Sequence, residues 1–351
     1  MIRRITCMLL CLCLPLPCAA CYNRREPKKM SVVNSVLYDI TDTGLYRVKA
    51  EVMNPTAASG TQQGNAGSSK SPSITVSGEG ESIREAVSDL SISLDRSLFG
   101  GHNKVRLFTE TFAKADMAPV MDFLLRDHLS DETPLMIVIR GQTPDNVHFS
   151  TVGLADMVGD YMESLSKNQP NQTAESVFVT TLDFAKDYYA EGKQPVMGVA
   201  AIEKGEEKTS ENTTTDVKPA EGGSGKTNII LYKGLAAFKD NRLVGFMDGH
   251  EARAYNMLTG NVNTAFVSVP VGTRHIVLEI DHTKAGIKAA MSGDQVSLDI
   301  RVNIVMRVVT AAGGVAGARI VEAVLGDQRR IMPVSTLTDY PGVGEVCMSL
   351  P

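Results

Sequence analysis

The stretch SIREAVSDLSISLDRSLFGGHNKVRLF, residues 82–108, sets the fold class of this chain. Ser82 and Glu85 have the spacing of a capping box, which marks the first turn of a helix. Apolar residues then recur at intervals of three and four and form one stripe, so a helix is predicted up to the glycine pair Gly100 and Gly101. The stripe consists of Ile83, Val87, Leu90, Leu94 and Leu98.

The neighbouring segments continue this alternation of helices and strands. Residues 104–108 predict a short strand, and Pro119 suits the first turn of a second helix. Residues 135–139 form an apolar run of strand length, and residues 31–40 and 46–52 predict the two strands of a hairpin. Strands that alternate with helices indicate an α/β layer.

Further elements are predicted on both sides of a polar segment at residues 204–227. In residues 296–304, within a strand predicted at 296–309, apolar and polar residues alternate, which is typical of a strand with one buried face. After residue 311 the pattern decays, and no compact unit can be assigned. The predicted elements are helices at 154–166 and 175–191, a strand at 196–202, a hairpin at 229–247, a helix at 248–258 and strands at 265–269, 275–280 and 296–309.

Two segments lack the large apolar side chains that a core requires. Residues 56–73 predict a mobile loop, and residues 204–227, which close on a Gly-Gly-Ser-Gly run, predict a linker between domains. We therefore predict an α/β, or α+β, multidomain protein whose small mixed β-sheets are each flanked by helices. The predicted division is a signal peptide at 1–20, an N-terminal α/β domain at 21–203, the polar linker at 204–227, a middle small α/β domain at 228–272 and a C-terminal domain at 273–351.

The first 26 residues, MIRRITCMLLCLCLPLPCAACYNRRE, carry the features of a secretion signal. Two arginines precede an apolar run at residues 5–20, which is shorter than the roughly 20 residues that span a bilayer. Two alanines stand directly before Cys21, an arrangement that suits bacterial lipoprotein processing. The Cys21 thiol would then receive a diacylglyceryl group and become the first mature residue. Ordinary secretion with cleavage near Ala20 and an N-terminal transmembrane anchor are the alternatives.

Charge and cysteine usage exclude several classes of protein. The chain of 351 residues has a formal net charge of −5, and removal of residues 1–20 brings it to −7. No basic cluster with interleaved aromatic residues is present, so we predict no nucleic-acid binding. Five of the six cysteines lie at or before Cys21, which leaves only Cys347 in the body and excludes a disulfide framework.

No motif indicates catalysis or a cofactor. The six histidines show no metal-ligand spacing, and no Gly-x-Ser-x-Gly is present. The segment AEGGSGKT at residues 220–227 resembles the end of a phosphate-binding loop, but it lacks the first glycine and a preceding buried strand. A flexible linker explains it better. The sequence predicts a protein that is not an enzyme and has neither a metal site nor a cofactor.

Four segments resemble, in the same order, motifs of one known family. The start Cys21–Glu26 is similar to Cys-Trp-Asp/Asn-Arg-Arg-Glu, with Tyr22 in place of Trp, and Leu98–Val105 resembles Leu-Phe-x-Gly-His-x-Lys. Asp122–His128 is similar to Asp-Phe-x-x-Arg-Asp-His, and Gly234–Met247 resembles Gly-x-Ala-x-Phe-Lys-x-x-x-Leu-Val-Gly. These are the motifs of the germinant-receptor C subunits, the GerAC-like or Ger(x)C lipoproteins of endospore-forming bacteria.

The resemblance implies a three-domain α/β lipoprotein that is tethered through diacylglyceryl-Cys21 to the outer face of the spore inner membrane. It would assemble there with the two multipass membrane subunits, A and B, into a receptor that senses nutrients and starts spore germination. The family also continues through a long helix and closing strands that residues after 311 do not match, so we expect a truncated or degenerate C-terminal domain. The possible interface or structural motif positions are Arg24, Arg25, His102, Arg126, Asp127, Asp248 and Glu251.

Two rival functions remain open at this stage. An extracytoplasmic solute-binding lipoprotein of a transporter would need a deep interdomain pocket with converging polar groups. A lipid-anchored wall hydrolase would need a carboxylate pair or a metal site in a cleft, which the motifs do not provide. For most of the motif residues, ion pairing at a helix end is the alternative to an interface role.

Overall fold

The structure is a computed structural model of the chain. The signal segment with Cys21, Arg24 and Arg25, the polar segment after residue 204 and nearly all of the predicted loop at 56–73 lie outside the residues that it describes. Within the described ranges, no helix is long and apolar enough to cross a membrane. The described residues are 30–54, 72–127, 130–141, 157–169, 173–204, 228–262, 264–271, 274–292, 295–311 and 343–350.

A mixed sheet of nine strands forms the larger part of the described structure. The strands are β1 (Met30–Ile40), β2 (Tyr46–Met53), β3 (Ser73–Gly80), β4 (Ser97–Phe99), β5 (Val105–Thr109), β6 (Leu135–Ile139), β7 (Val196–Lys204), β8 (Asn228–Lys239) and β9 (Arg242–Met247). Their order is β3-β2-β1-β5-β6-β7-β8-β9, with β4 beside β1. Strands β1, β5, β6 and β7 are parallel, while β2 and β3 at one edge and β8 and β9 at the other are antiparallel.

Helices cover both faces of this sheet. The described helices are α1 (Ile83–Ile92), α2 (Glu110–Lys114), α3 (Ala118–Arg126), α4 (Val158–Asn168), α5 (Thr181–Tyr189) and α6 (Gly249–Thr259). One core joins the sheet to α1, α2, α3 and α5, and a second core joins the opposite face to α4. Every residue of β5 and β6 is buried, as expected for parallel strands that are covered on both faces.

A second, antiparallel sheet follows α6. Its strands, in spatial order, are β10 (Ala265–Val271), β11 (Arg274–Ser292), β12 (Gln295–Ala311) and β13 (Val343–Leu350). Leu278 and Ile280 of β11 and Ile304 of β12 form its core, against which α6 places Met257 and Leu258. The prediction of small mixed sheets flanked by helices, and thus of the α/β (α+β) class, is confirmed.

The helix predicted from the apolar stripe is shorter than expected. Helix α1 ends at Ile92, where Ser93 caps it through backbone bonds to the preceding turn. The last two stripe residues lie beyond the helix, and Leu98 belongs to β4. Leu94 and Leu98 nevertheless pack against the same core as α1, which explains why the spacing extended the predicted helix too far.

Other predicted boundaries also differ from those in the structure, and some elements were not predicted. The helix predicted at 175–191 begins only at Thr181, because the Thr180 hydroxyl accepts a hydrogen bond from the backbone of Asp183 and caps it. The strand predicted at 275–280 continues to Ser292, and β3 was not predicted. The predicted hairpin is confirmed, and its turn residues Asp240 and Asn241 have φ angles of 47° and 68°, as a two-residue turn requires.

The strands on either side of the polar segment 204–227 are neighbours in one sheet. Strands β7 and β8 pair antiparallel, with Ile202 opposite Ile230. The polar segment therefore joins adjacent strands of the larger sheet. The division of the chain into domains stays a prediction.

A buried carboxylate lies below the start of α4. Glu51 on β2 is 2% exposed and accepts hydrogen bonds from the hydroxyls of Ser35 at 2.9 Å and Ser73 at 3.1 Å. The backbone N–H of Val158, at the first position of α4, donates to it at 3.2 Å. Burial raises the pKa of Glu51, although these hydrogen bonds act in the opposite direction.

This raised pKa predicts a pH-dependent contribution of Glu51 to stability. A carboxyl whose pKa is higher in the folded than in the unfolded state stabilises the fold while it is protonated. This contribution is complete below the pKa of the unfolded state and is lost as the pH rises through the pKa of the folded state. Relative to a Glu51→Gln variant, the wild type should therefore lose free energy of unfolding as the pH rises. Urea unfolding across this pH range measures the effect, with the exposed Glu191→Gln as control. If the free energy of unfolding changed equally with pH in the wild type and in Glu51→Gln, the prediction would be contradicted.

Candidate functional site

A cavity of about 340 Å³ lies between the first sheet and helices α1 and α3. Its walls are mostly apolar, and its volume is within the range of small-molecule sites. Strands β1 and β2 provide Val36 and Val48, α1 provides Val87, and α3 provides Phe123 and Leu124. Its composition, an apolar lining with a few polar groups, is that of a ligand site.

The most deeply buried charge of this cavity is Arg106 on β5, which is 2% exposed. One of its terminal nitrogens donates to the Thr181 hydroxyl, and the other donates to the Ser130 hydroxyl and the Asp131 carbonyl, both at 2.7 Å. Within the described structure, its Nε has no hydrogen-bond partner. Burial lowers the pKa of Arg106, and the charges of Asp131 and Asp127 oppose this shift.

Asn103 supplies a second buried polar group to the same cavity. It is 7% exposed, and its backbone N–H donates to the carbonyl of Gly100 at 3.0 Å. Its side-chain Oδ1 accepts no hydrogen bond from any described residue. Buried polar atoms are nearly always hydrogen-bonded in folded proteins, so the Arg106 Nε and the Asn103 Oδ1 both require an explanation.

An open cleft of about 610 Å³ adjoins the cavity and shares three lining residues with it. The shared residues are Arg84, Phe123 and Asp127. The cleft runs between the first turn of α1 and helix α3, and Arg84 is exposed there. The cleft and the cavity therefore share a wall.

Two of the sequence motifs meet at this cavity. Segment 98–105 contributes Leu98 and Asn103 to its lining, and segment 122–128 contributes Phe123, Leu124 and Asp127. Asp127 caps the C-terminal end of α3 and lines both the cavity and the cleft. The cavity is thus built from segments that were singled out separately in the sequence.

Comparison with known proteins decides the family. Residues 23–202 match the family model described as the spore germination protein N-terminal domain, and residues 233–315 match the one described as spore germination B3/GerAC like, C-terminal. The chain belongs to the GerAC-like family of spore germination proteins. The family resemblance that was drawn from the sequence motifs is confirmed.

Several curated GerAC-like relatives come from Bacillus subtilis (strain 168). The putative spore germination protein YfkR is 27% identical over 84% of this chain and 71% of its own length. Spore germination protein KC is 23% identical over 87% of this chain and 74% of the relative, and spore germination protein B3 is 22% identical over 80% and 67%. The crystal structure of the GerBC protein aligns with a TM-score of 0.36 at 18% identity, over 75% of this chain and 67% of that one.

Two of the predicted GerAC-like motif residues lie at the surface near the cavity. His102 is exposed in the turn after β4, where its ring packs edge-on against Phe99 with centroids 5.8 Å apart. Arg126 is exposed on α3 and donates from Nε to Asp122, one turn earlier, at 2.5 Å. Arg126 also lines the cleft, whereas His102 is absent from its described lining. An interface role for both residues stays a prediction.

The other two described motif residues form a helix cap. Asp248 accepts hydrogen bonds from the backbone N–H groups of His250 at 2.8 Å and Glu251 at 2.9 Å, and the Glu251 carboxylate accepts from the Asp248 N–H at 2.9 Å. The bond from the Glu251 backbone lowers the pKa of Asp248. These residues complete a capping box at the start of α6 and do not line the cavity.

Helix α6 is joined to the segment between α4 and α5 by side chains that were not predicted as site residues. Arg253 pairs with Glu175 and donates to the Thr173 carbonyl at 3.0 Å. Asn256, which is 4% exposed, donates to the carbonyls of Ala174 at 2.9 Å and Ser176 at 2.8 Å. Helix α6 also places Ala252 against Leu235 of β8, and Met257 and Leu258 against the second sheet, so it connects the two sheets.

Sequence reasoning also missed the two central residues of the cavity. Arg106 stands in the apolar strand Val-Arg-Leu-Phe, and a charge inside such a run is the signal that could have identified it. Asn103 lies inside a recognised motif but carries no local signal of burial. Among the described residues, no group of three or more His, Cys, Asp or Glu side chains is placed to hold a metal ion.

Proposed function

We propose that this GerAC-like protein is a non-enzymatic lipoprotein C subunit of a nutrient germinant receptor and is required for spore germination in response to nutrients. One observation carries the proposal: the family match covers residues 23–202 and 233–315, so it begins two residues after Cys21. The family likeness therefore starts within two residues of the position at which lipoprotein cleavage before Cys21 would start the mature chain. This agreement supports a folded body attached through its first residue.

Lipid attachment gives the proposal its physical basis. Each buried methylene of an acyl chain contributes about 0.8 kcal/mol, and stable anchoring requires more than one chain, which a diacylglyceryl group on Cys21 supplies. Anchored in this way, the protein would lie on the outer face of the spore inner membrane. Its proposed partners are the A and B membrane subunits of the receptor.

The absence of catalysis is part of the proposal and is supported by the cavity. Its described lining contains no histidine, cysteine or lysine, and Asp127 is its one carboxylate. The charged motif positions Arg24, Arg25, Arg126 and Asp127 are proposed as interface or structural positions.

A Cys21→Ala substitution tests the anchor and the receptor role together. We expect loss of labelled fatty acid, release of the protein from the membrane fraction and loss of germination in response to nutrients, because the acylated thiol is removed. Germination in response to non-nutrient triggers should be retained. Acyl labelling, membrane fractionation and germination assays on mutant spores measure these outcomes.

Cys11→Ala provides a matched control, because it removes a thiol from the same apolar run without touching the proposed attachment site or the residues directly before it. It should behave like the wild type in all three assays. Full membrane retention of Cys21→Ala would contradict lipid anchoring. Normal nutrient germination by spores with the released protein would contradict the receptor role.

A further inference from the structure

We propose that one end of the first sheet lies on the membrane, where exposed apolar side chains enter the lipid interface and the basic segment that precedes β1 binds anionic phospholipid headgroups. This inference rests on the proposed lipid anchor, to which it adds a membrane-facing surface and a class of lipid. The surface, which we call the tether end, comprises the start of β1, the end of β2, the start of β3 and the end of α1 with the turn into β4. Its described residues are 30–33, 52–54, 72–75 and 91–98.

Strand register brings the start of β1 next to the end of β2 and the start of β3. Val33 of β1 pairs with Val52 of β2. Met53, the last residue of β2, pairs with Ser73, the first residue of β3. The three strands therefore share one end of the sheet.

Helix α1 ends at the same place. Its Leu90 lies directly on Gly78 of β3, and the helix runs on to Ile92, its last residue. The chain then enters β4, whose first residue, Ser97, pairs with Met30, the first residue of β1. The final turn of α1 therefore lies close to the start of β1.

Large apolar side chains are exposed at the tether end. Ile92 is 82% exposed, Ile74 is 46% exposed and Met53 is 42% exposed. Ile74 pairs with Val52 and shares its face of the sheet, so Met53, the next residue of β2, lies on the opposite face. An end that is apolar on both faces suits a fluid lipid interface, which can surround it, better than a rigid partner that covers one face.

The chain from the proposed anchor enters the fold at this end. Residues 22–29 connect Cys21 to Met30. A fully extended chain advances at most about 3.6 Å per residue, so the start of β1 lies within about 30 Å of an acylated Cys21. The tether end is therefore the part of the first sheet that the anchor brings to the bilayer.

The connecting segment carries a charge that favours anionic lipid. Residues 22–29 contain one acid, Glu26, and four basic residues, which are Arg24, Arg25, Lys28 and Lys29. This segment contributes +3 to the net charge of −7 of the mature chain, so residues 30–351 carry −10. Basic residues next to a membrane anchor are attracted by anionic headgroups.

The described tether end adds no opposing charge. Asp95 and Arg96 are the charged residues of its described segments, and they form an ion pair at 3.6 Å. An anionic membrane therefore attracts the basic segment and repels the acidic remainder of the chain, which turns the tether end toward the lipid.

Binding to vesicles tests the proposal with the mature chain, residues 21–351, that carries Cys21→Ala, so that no acyl chain contributes. Vesicles of phosphatidylcholine are compared with vesicles in which half of the lipid is phosphatidylglycerol. We expect at least about tenfold tighter binding to the phosphatidylglycerol vesicles, and weaker binding as the salt concentration rises. Equal binding to both vesicles, or no binding to either at millimolar lipid, would overturn the proposal.

A pair of lysines locates the headgroup contact. Lys28→Gln combined with Lys29→Gln should weaken binding to the phosphatidylglycerol vesicles at least about tenfold, because two charges beside the lipid are lost. Lys284→Gln combined with Lys288→Gln is the matched control, since it removes the same charge from exposed lysines of β11 in the second sheet. The control should change binding by less than about twofold at physiological salt, because distant charges are screened. An equal loss for both pairs would contradict the assigned contact.

A pair of isoleucines tests the apolar contact. Ile74→Ser combined with Ile92→Ser should weaken vesicle binding at least about tenfold, because two aliphatic side chains no longer leave water. The matched control is Val244→Ser combined with Ile287→Ser, which removes side chains that are 63% and 56% exposed on β9 and β11. The control should bind like the unmodified sequence, and thermal unfolding verifies that both variants are folded.

The remaining outcomes separate this inference from a protein contact and from the anchor. Unchanged vesicle binding by the folded Ile74→Ser and Ile92→Ser variant, together with loss of the A and B subunits from the purified receptor, would assign the apolar end to a protein partner and overturn the proposal. Absence of vesicle binding while the wild type is acylated at Cys21 overturns this inference alone. Absence of the acyl group from the wild type contradicts the anchor and removes the basis of this inference as well.

Discussion

Replacing Gly78 by alanine is expected to lower the free energy of unfolding by about 3 kcal/mol or more, because helix α1 lies directly on this glycine. A Cβ atom at residue 78 would lie 2.2 Å from the backbone nitrogen of Leu90 and 2.3 Å from the carbonyl oxygen of Ala86. Backbone atoms cannot rotate away as a side chain can. The helix would have to move and would withdraw its buried Ile83, Ala86 and Leu90 from the core.

Urea unfolding of purified protein measures this loss, and Gly245→Ala is the matched control. Gly245 also lies in the larger sheet, but a Cβ there would meet nothing within 4 Å. Its replacement should be neutral or stabilising by up to about 1 kcal/mol, since alanine reduces the freedom of the unfolded chain. Equal effects of the two substitutions would show that the contact between α1 and β3 is not as close as the structure indicates.

Replacing Arg106 by methionine is expected to lower the free energy of unfolding by about 3 kcal/mol. Methionine keeps much of the side-chain volume but leaves the Ser130 hydroxyl and the Asp131 carbonyl without their buried donor. The arginine also joins β5 to the first position of α5 through the Thr181 hydroxyl. Loss of the guanidinium therefore removes a connection between three segments that are distant in sequence.

Two further variants separate this effect from a general effect of charge removal. Arg126→Met removes an exposed ion pair with Asp122 and should change the free energy of unfolding by less than about 1 kcal/mol. Thr181→Val removes one partner of Arg106 and should lower it by about 1 to 2 kcal/mol. Urea unfolding at neutral pH measures the free energy of unfolding of all three variants. A similar effect for Arg106→Met and Arg126→Met would contradict the structural role of Arg106.

Both predictions concern the walls of the same cavity. Gly78 sets the position of α1, which forms one wall, and Arg106 lies in the strand below it.

Local features of the sequence predicted many of the elements well. The Ser82 cap predicted from its spacing to Glu85 marks the start of α1, and the Asp240–Asn241 turn closes the predicted hairpin. Such signals act between residues that are close along the chain, so they can be found without knowledge of the fold. The helix predicted from the apolar stripe was wrong only after Ile92. Leu94 and Leu98 keep the helical spacing, but they contact the core from a loop and a strand.

Local spacing and motif order were enough to predict many of the elements and the family, while the lipoprotein-like start stays a prediction. The pairing of β5 with β1, the pairing of β8 with β7 across the polar segment, and the shared cavity of Arg106 and Asn103 could be seen only in the folded protein. Strand neighbours and buried surroundings are set by contacts between distant segments, which local patterns do not encode. The Arg106 side chain, for example, is held by a hydroxyl that lies 75 residues further along the chain.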